Sequence, residues 1–243
     1  MATKKEKKLV AASENSELVS EKESVRKIKQ AEPVGNAGPK RVIAVVLWLV
    51  ALALEVCALF VFLGKLDLKF MPQLYQLIAF LVLDLIAVIV GAQFWKKANH
   101  IDPVSEENQV KFWLWNNMGL IAMAICFFPF IILVLTNKDA DKKTKTIATV
   151  AAIICLLIGG VASYDWNPVS EEMKNAAVDA LGGETVYWSR FGKVYHTHTD
   201  CPHLNQTETL TYGSIEEAIA AGRVRLCKTC ASKDGIEGVA TGD

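Results

Sequence analysis

Residues 42–64 read VIAVVLWLVALALEVCALFVFLG, an apolar run interrupted by a single acidic residue, Glu55. The hydrocarbon core of a bilayer is about 30 Å thick and requires about 20 consecutive apolar residues of a helix. Three further runs have comparable length, namely 71–94, 112–136 and 147–164. Core helices of a soluble protein would carry a polar stripe, and these runs barely do. The sequence therefore predicts an α-helical membrane protein with a bundle of four transmembrane helices.

The basic residues near the span ends predict the orientation, because Lys and Arg are enriched in cytoplasmic loops. Ten lie on the side of the N-terminus and six on the other, although the lysine-rich loop 137–146 would then face outward. We predict a multi-pass protein of the cell membrane with both termini in the cytoplasm. No cleavable signal peptide is expected, since about 40 hydrophilic residues precede the first span.

The C-terminal third carries residues with the spacing of metal ligands. His196 and Cys201 lie close together, and Cys227 and Cys230 follow as a CxxC pair. Two such thiolates can bind one tetrahedral zinc ion at about 2.3 Å from each sulfur. A disulfide is the alternative, but three cysteines in this segment would leave one unpaired. We predict these four residues as the ligands of one structural zinc ion, with no catalytic residues.

Three histidines lie within a few residues of Cys201, and any of them could reach the metal. His196 is favoured because it ends an apolar, aromatic run, 185–188 and then 194–195, which is broken by 189–193 and is predicted to form a β-hairpin with its turn at Gly192. A ligand at the end of a strand is better positioned than one in a loop. His198 and His203 are interpreted as loop residues or as hydrogen-bond partners of the site.

A short helix is predicted between the two halves of the ligand set. Ser214 and Glu217 have the spacing of a capping box, in which each residue bonds to the backbone of the other. Gly222 suits the end of this helix, because glycine readily adopts a left-handed conformation. A strand near 210–212 is predicted to precede the helix.

The segment 185–231, which contains the four predicted ligands, resembles the metal-binding module of bacterial Ada-type DNA repair proteins. That module also has relatives at the ends of secreted nucleases and of bacterial membrane proteins. The resemblance implies a small α+β fold around zinc. In the repair domain four cysteines hold the metal, and one accepts a methyl group from DNA. Here a histidine stands at one ligand position, and Arg223, Arg225 and Lys228 form only a weak basic cluster, so neither methyl transfer nor nucleic-acid binding is expected. The matching residues are Gly192 to His196, Cys201 to Leu204, Glu217, Ala218, Gly222, Cys227 and Cys230.

The remaining segments are polar. The N-terminal tail mixes Lys with Glu and Ser, and an amphipathic helix through Leu18, Val25 and Ile28 that touches lipid headgroups is the alternative to a flexible chain. The predicted organisation is a flexible cytoplasmic tail (1–40), four spans (41–164), a linker helix (165–184), a zinc-binding module (185–231) and a second flexible tail (232–243).

Two acidic residues, Glu55 and Asp84, fall inside predicted spans. An acid at mid-membrane costs about 2–3 kcal/mol on insertion scales and usually faces a bundle interior or a wet cavity. If the first two spans are antiparallel neighbours, the two acids differ in depth by about 6 Å and could share a proton. Interhelical hydrogen bonds are the favoured interpretation, and an ion or proton path is the alternative. The single cysteines Cys57, Cys126 and Cys155 are interpreted as small packing residues.

Together these features predict a non-enzymatic bacterial membrane protein that presents a zinc module at the membrane surface, for partner binding or for a response to zinc or thiol oxidation. Four protein ligands leave no open position for a water nucleophile. The alternative is a small transporter or channel subunit that uses Glu55 and Asp84. The predicted partners are the lipid bilayer and an unidentified protein, and a homo-oligomer stays open. With 26 basic and 26 acidic residues, the charge gives no general argument for a nucleic acid.

Overall fold

The computed structural model describes residues 7–12, 18–19 and 35–243 of the chain. These residues form two compact units. A helical unit contains 38–96 and 109–166, and a mixed unit contains 97–108 and 167–243 together with the described N-terminal residues. Most of the segment 1–40, which was predicted to be a flexible tail, lies outside the described residues. Val25 and Ile28 of the alternative amphipathic helix also lie outside them.

Among the described residues, four helices are long and apolar enough to cross a membrane. The helices of this unit are α1 (Ala37–Phe62), α2 (Gln73–Ile101), α3 (Gln109–Asn116), α4 (Met118–Thr136) and α5 (Lys142–Ser163), and the four long ones are α1, α2, α4 and α5. Of these, α1, α2 and α5 correspond to the predicted spans 42–64, 71–94 and 147–164. The side chain of Asp141 caps α5 by accepting from the backbone N–H of Thr144.

The predicted third span, 112–136, is divided into two helices at Asn117, whose φ and ψ are −108° and 23°. The side-chain amides of Asn116 and Asn117 donate to the carbonyl oxygens of Phe112 and Trp113, at 3.0 and 2.9 Å. Asparagine side chains that bond to the local backbone favour turns over helix interiors. The membrane-length helix therefore begins at Met118, and α3 precedes it as a separate short helix.

Small residues bring the long helices close together. A Cβ atom at Gly119 would lie 2.5 Å from the Cβ of Ala92 on α2. Large apolar side chains point the other way, and Leu49, Leu157 and Val161 are 62%, 65% and 64% exposed. Small residues inside and large apolar residues outside are typical of helices packed in lipid. The buried small residues include Ala51, Ala58, Ala148, Ala152 and Gly159.

Three tryptophans of the helical unit pack on one another. The ring centroids of Trp48 and Trp95 are 5.4 Å apart, and those of Trp95 and Trp115 are 5.2 Å apart. The guanidinium of Arg41 lies 5.5 Å from the Trp115 ring. The Trp95 indole donates to the carbonyl oxygen of Trp115 at 2.7 Å, so these side chains pack α1, α2 and α3 together.

The mixed unit contains two small sheets. Its elements are β1 (Lys8–Ala11), β2 (Leu18–Val19), α6 (Glu171–Leu181), β3 (Val186–Trp188), β4 (Val194–Tyr195), β5 (Thr209–Gly213), α7 (Ile215–Ala220), β6 (Arg225–Cys227), α8 (Lys228–Asp234) and β7 (Thr241–Gly242). The first sheet has the strand order β2-β1-β5-β3, with β1 parallel to β5 and antiparallel to β2, and with β3 antiparallel to β5. The second sheet has the order β4-β6-β7, with both pairs parallel.

The local predictions for this unit correspond to observed elements. The capping box of Ser214 and Glu217 is confirmed with both of its hydrogen bonds, and Gly222 has a φ of +84° after α7. α6 lies within the predicted linker helix 165–184 and is capped by Ser170. The segment 232–243, predicted as a flexible tail, contains the end of α8 and the strand β7, because the backbone of β7 pairs with β6.

Candidate metal centre

The structure brings His196, Cys201, Cys227 and Cys230 together in the mixed unit. One ligand atom from each residue lies within 4.8 Å of those of the other three, so the group could hold a metal ion. The Sγ atoms of Cys201 and Cys227 are 3.8 Å apart, and Nδ1 of His196 is 3.8 Å from Sγ of Cys230. In a tetrahedral zinc site with bonds of about 2.3 Å, two sulfur ligands are separated by about 3.8 Å. The separation of Cys201 Sγ and Cys227 Sγ matches this value, so the cluster could hold one tetrahedral ion.

Each ligand candidate is positioned by a rigid part of the fold. His196 exchanges two backbone hydrogen bonds with Tyr187, at 2.7 and 2.8 Å, which closes the predicted hairpin. Cys201 precedes a short 3₁₀ turn, and the backbone N–H of Leu204 donates to its carbonyl at 2.9 Å. Cys227 is the residue before α8 and Cys230 lies in the first turn of that helix. A three-residue separation places both sulfurs on one side of the helix start.

All four side chains are shielded from solvent, with exposures between 1% and 3%. Burial, and to a smaller extent the nearby His203 and Lys7, lower the pKa of His196 to about 4. The imidazole is therefore neutral near pH 7, which is the form that binds metals.

The buried sulfurs favour a positive ion between them. Burial raises the pKa of the Cys201 thiol, and the neighbouring Cys230 and Cys227 act in the same direction. The backbone N–H of His203 donates to the Cys201 sulfur and partly opposes this effect. A divalent cation offsets the cost of burying thiolates, because a coordinated thiol is deprotonated outright. The donor set thus fits a thiophilic metal ion.

The other two histidines of the segment have partners outside the cluster. His198 Nε2 is 2.5 Å from an oxygen of Asp234, whose second oxygen accepts from the hydroxyl of Thr197 at 2.5 Å. His203 Nε2 is 3.0 Å from Oγ1 of Thr229. Both histidines join the ligand loop to α8, as expected for residues that support a site from outside it.

The N-terminal residues near the cluster were not anticipated from the sequence. Lys7 donates to the carbonyl of Thr199 at 2.5 Å, and Leu9 on β1 is buried in the core of the mixed unit. β1 pairs along its length with β5, from Lys8 with Thr209 to Ala11 with Tyr212. In the sequence, Leu9 and Val10 are two apolar residues in a charged segment, which is too weak a signal to predict a strand.

Two of the basic residues near the cluster, Arg223 and Lys228, have partners within the unit. The Arg223 guanidinium donates to the carbonyl oxygens of Ser189 and Arg190, at 3.2 and 2.5 Å. Lys228 forms an ion pair with Asp243 at 2.7 Å. These contacts join the hairpin turn to the segment after α7 and the last residues to α8.

The two acidic residues that fall inside predicted spans belong to the helical unit, whereas the metal-ligand cluster belongs to the mixed unit. Glu55 on α1 and Asp84 on α2 are 5% and 0% exposed. Cys126 on α4 is buried beside them and donates a hydrogen bond to Glu55.

No protein-family model, curated protein or solved structure matches this chain.

Proposed function

We propose that this chain is a bacterial integral membrane protein that presents a structural Cys3His zinc module at the membrane surface. The observation that carries the proposal is the buried cluster of His196, Cys201, Cys227 and Cys230 in a chain with four membrane-length helices. Zinc is favoured over other ions because three sulfurs and one imidazole nitrogen are typical of structural zinc sites. Bound zinc contributes to the folding free energy of small modules, whose cores are limited.

A structural role is favoured over catalysis and over redox sensing. Four protein ligands fill a tetrahedral shell, so no position is left for a reacting water. Sensor cysteines are typically accessible thiolates, whereas these three sulfurs are buried. Bound to zinc, the module would serve as a rigid platform for a protein partner. The engaged basic residues Arg223 and Lys228 support a protein over a nucleic acid as that partner.

The exposed apolar surface of the helical unit supports placement in a membrane. Side chains such as Leu49, Phe128 and Leu157 are more than half exposed, and continuous apolar surface of this kind is unfavourable in water. We place both termini in the cytoplasm, where a reducing environment keeps the three cysteines available to zinc.

Metal content in the full-length protein, purified in detergent, tests this proposal. We expect elemental mass spectrometry to find one zinc ion per molecule of wild-type protein. After dialysis against a chelator, the Cys227→Ser and His196→Ala variants should lose most of their zinc. The matched controls are His198→Ala and His203→Ala, which remove histidines of the same segment whose partners are Asp234 and Thr229. Both controls should keep the metal.

A folded protein without bound metal would overturn the proposal. Equal loss of zinc in the His196 and His198 variants would instead show that the ligand assignment is wrong. Rapid release of zinc by dilute peroxide, with the membrane helices intact, would favour a redox-responsive site over a structural one.

A further inference from the structure

Two acidic side chains lie in the core of the helical unit and take no part in the metal centre. Glu55 is seven residues before the end of α1, and Asp84 is eleven residues after the start of α2. The two helices are joined by the turn 63–72, so the acids differ in depth by about 6 Å at 1.5 Å per residue. Both side chains are at least 95% buried.

The groups that face the acids come from four helices. Cys126 on α4 donates its thiol hydrogen to Glu55, and Asp84 lies near enough to act electrostatically on Glu55, Cys126 and Cys155 of α5. Among the described residues of this unit, the buried polar side chains include no Lys, Arg or His. Within the described part of this unit, no buried Lys, Arg or His therefore neutralises the acids.

The hydrogen bonds expected of a purely structural pair are missing at Asp84. Both of its carboxyl oxygens are buried and have no hydrogen-bond partner within the described part of the chain. Glu55 has one oxygen in the same condition and one partner, the Cys126 thiol. Polar residues that join membrane helices are expected to bond across them. This pair instead retains unused hydrogen-bonding capacity in an apolar core.

A metal ion is not the ligand that this geometry favours. Metal sites in proteins usually gather three or more side-chain ligands around one point, and among the described residues only the cluster of the mixed unit brings together three or more His, Cys, Asp or Glu side chains in this way. A proton requires just one oxygen atom. It also removes the charge that makes a buried carboxylate unfavourable in lipid.

We propose that Glu55 and Asp84 form a proton-binding site at the centre of the helix bundle. Each carboxyl is held neutral by a bound proton, and the Cys126 thiol stabilises Glu55 when that proton is released to water. At each carboxyl, binding and release exchange one proton with solvent and require no other reactant. The inference rests on the proposed membrane placement of the helices, but not on the zinc module.

Reaction with dicyclohexylcarbodiimide tests the site in the full-length protein, reconstituted in phosphatidylcholine vesicles. This apolar reagent reacts with protonated carboxyl groups: the carboxyl oxygen bonds to the carbodiimide carbon, and the acid proton moves to its nitrogen. We expect an adduct at Glu55 or Asp84 by peptide mass spectrometry, with a rate that falls several-fold from about pH 6 to about pH 9. Glu55→Gln and Asp84→Asn should each remove the adduct at the substituted position.

Asp139→Asn provides the control, because Asp139 is an exposed acid in the turn between α4 and α5. This variant should label like the wild type, and a water-soluble carbodiimide should not modify the buried pair. Absence of an adduct on either acid in protein with intact helices, or a rate independent of pH, would overturn the proposal. Protection by sodium relative to choline at constant pH would also overturn it, since the ligand would then be a metal cation.

Zinc content measured on the same preparation separates this inference from the proposed function. Labelled acids in a protein without zinc would contradict the zinc module alone. If the purified chain stays soluble and folded without detergent, the membrane placement fails, and with it the basis of both proposals.

Discussion

At the scale of the residue, the environment of His196 sets how the metal centre responds to acid. Burial, His203 and Lys7 lower its pKa from 6.5 to about 4 in the folded protein. Between these values the unfolded chain binds a proton that the folded chain does not, so folding stability decreases as the pH falls from about 6.5 to about 4. Zinc competes with the proton for the imidazole nitrogen and should move this loss to lower pH.

Hydrogen exchange of the segment 186–227 measures this effect, with rates corrected for the intrinsic pH dependence of exchange. Metal-free wild-type protein should lose protection between about pH 6.5 and about pH 4, and zinc should restore it over much of that range. His196→Ala removes the group that titrates and should weaken this pH dependence. Equal protection at all these pH values in metal-free wild type would show that His196 does not control the stability of the module.

At the scale of the element, the approach of α2 and α4 depends on glycine. A Cβ at Gly119 would lie 2.5 Å from the Cβ of Ala92 and 3.2 Å from its Cα, which cannot move without the backbone of α2. We therefore expect Gly119→Ala to destabilise the helical unit by about 1–3 kcal/mol, the usual cost of overpacking. Thermal unfolding of the full-length protein in one detergent measures the change.

Gly160 on α5 offers the matched control, since a Cβ there would meet only Leu120 Cδ1 at an ordinary 3.6 Å. Gly160→Ala should be neutral or slightly stabilising, because alanine is the better helix former. Equal effects of the two substitutions on thermal unfolding would show that α2 and α4 do not pack closely at Gly119.

At the scale of the whole molecule, strand pairing constrains membrane topology. β1 lies near the N-terminus, and β5 follows all four long helices, yet the two are neighbouring parallel strands. A strand pair cannot form across a bilayer, since its members must share a compartment. We expect reporters fused to the N-terminus and the C-terminus to indicate the same side of the membrane, and a reporter in the turn 137–141 to indicate the opposite side. Termini on opposite sides would exclude the β1–β5 pairing in the membrane-inserted protein.

Much of the architecture could be predicted from local patterns. Long apolar runs predict long helices because only a helix satisfies every backbone hydrogen bond within one segment in lipid. The spacing of Ser214 and Glu217 predicted a capped helix, since both of its bonds are local. The division of the third span at Asn117 was missed, because an apolar run does not show where a side-chain amide will bond to the backbone.

Local patterns account for the four apolar helices, the capped helix and the residue types of a thiol and imidazole metal site, since each depends on neighbours in the chain. The position of His196 at the end of a strand also favoured it as the ligand, and it lies with the three sulfurs. The partners of His198 and His203, which are Asp234 and Thr229, could be identified only from the tertiary structure. The same is true of the pairing of β1 with β5 and of the absence of a hydrogen-bond partner for Asp84 among the described residues. These outcomes depend on contacts between residues far apart in the chain, which local patterns do not contain.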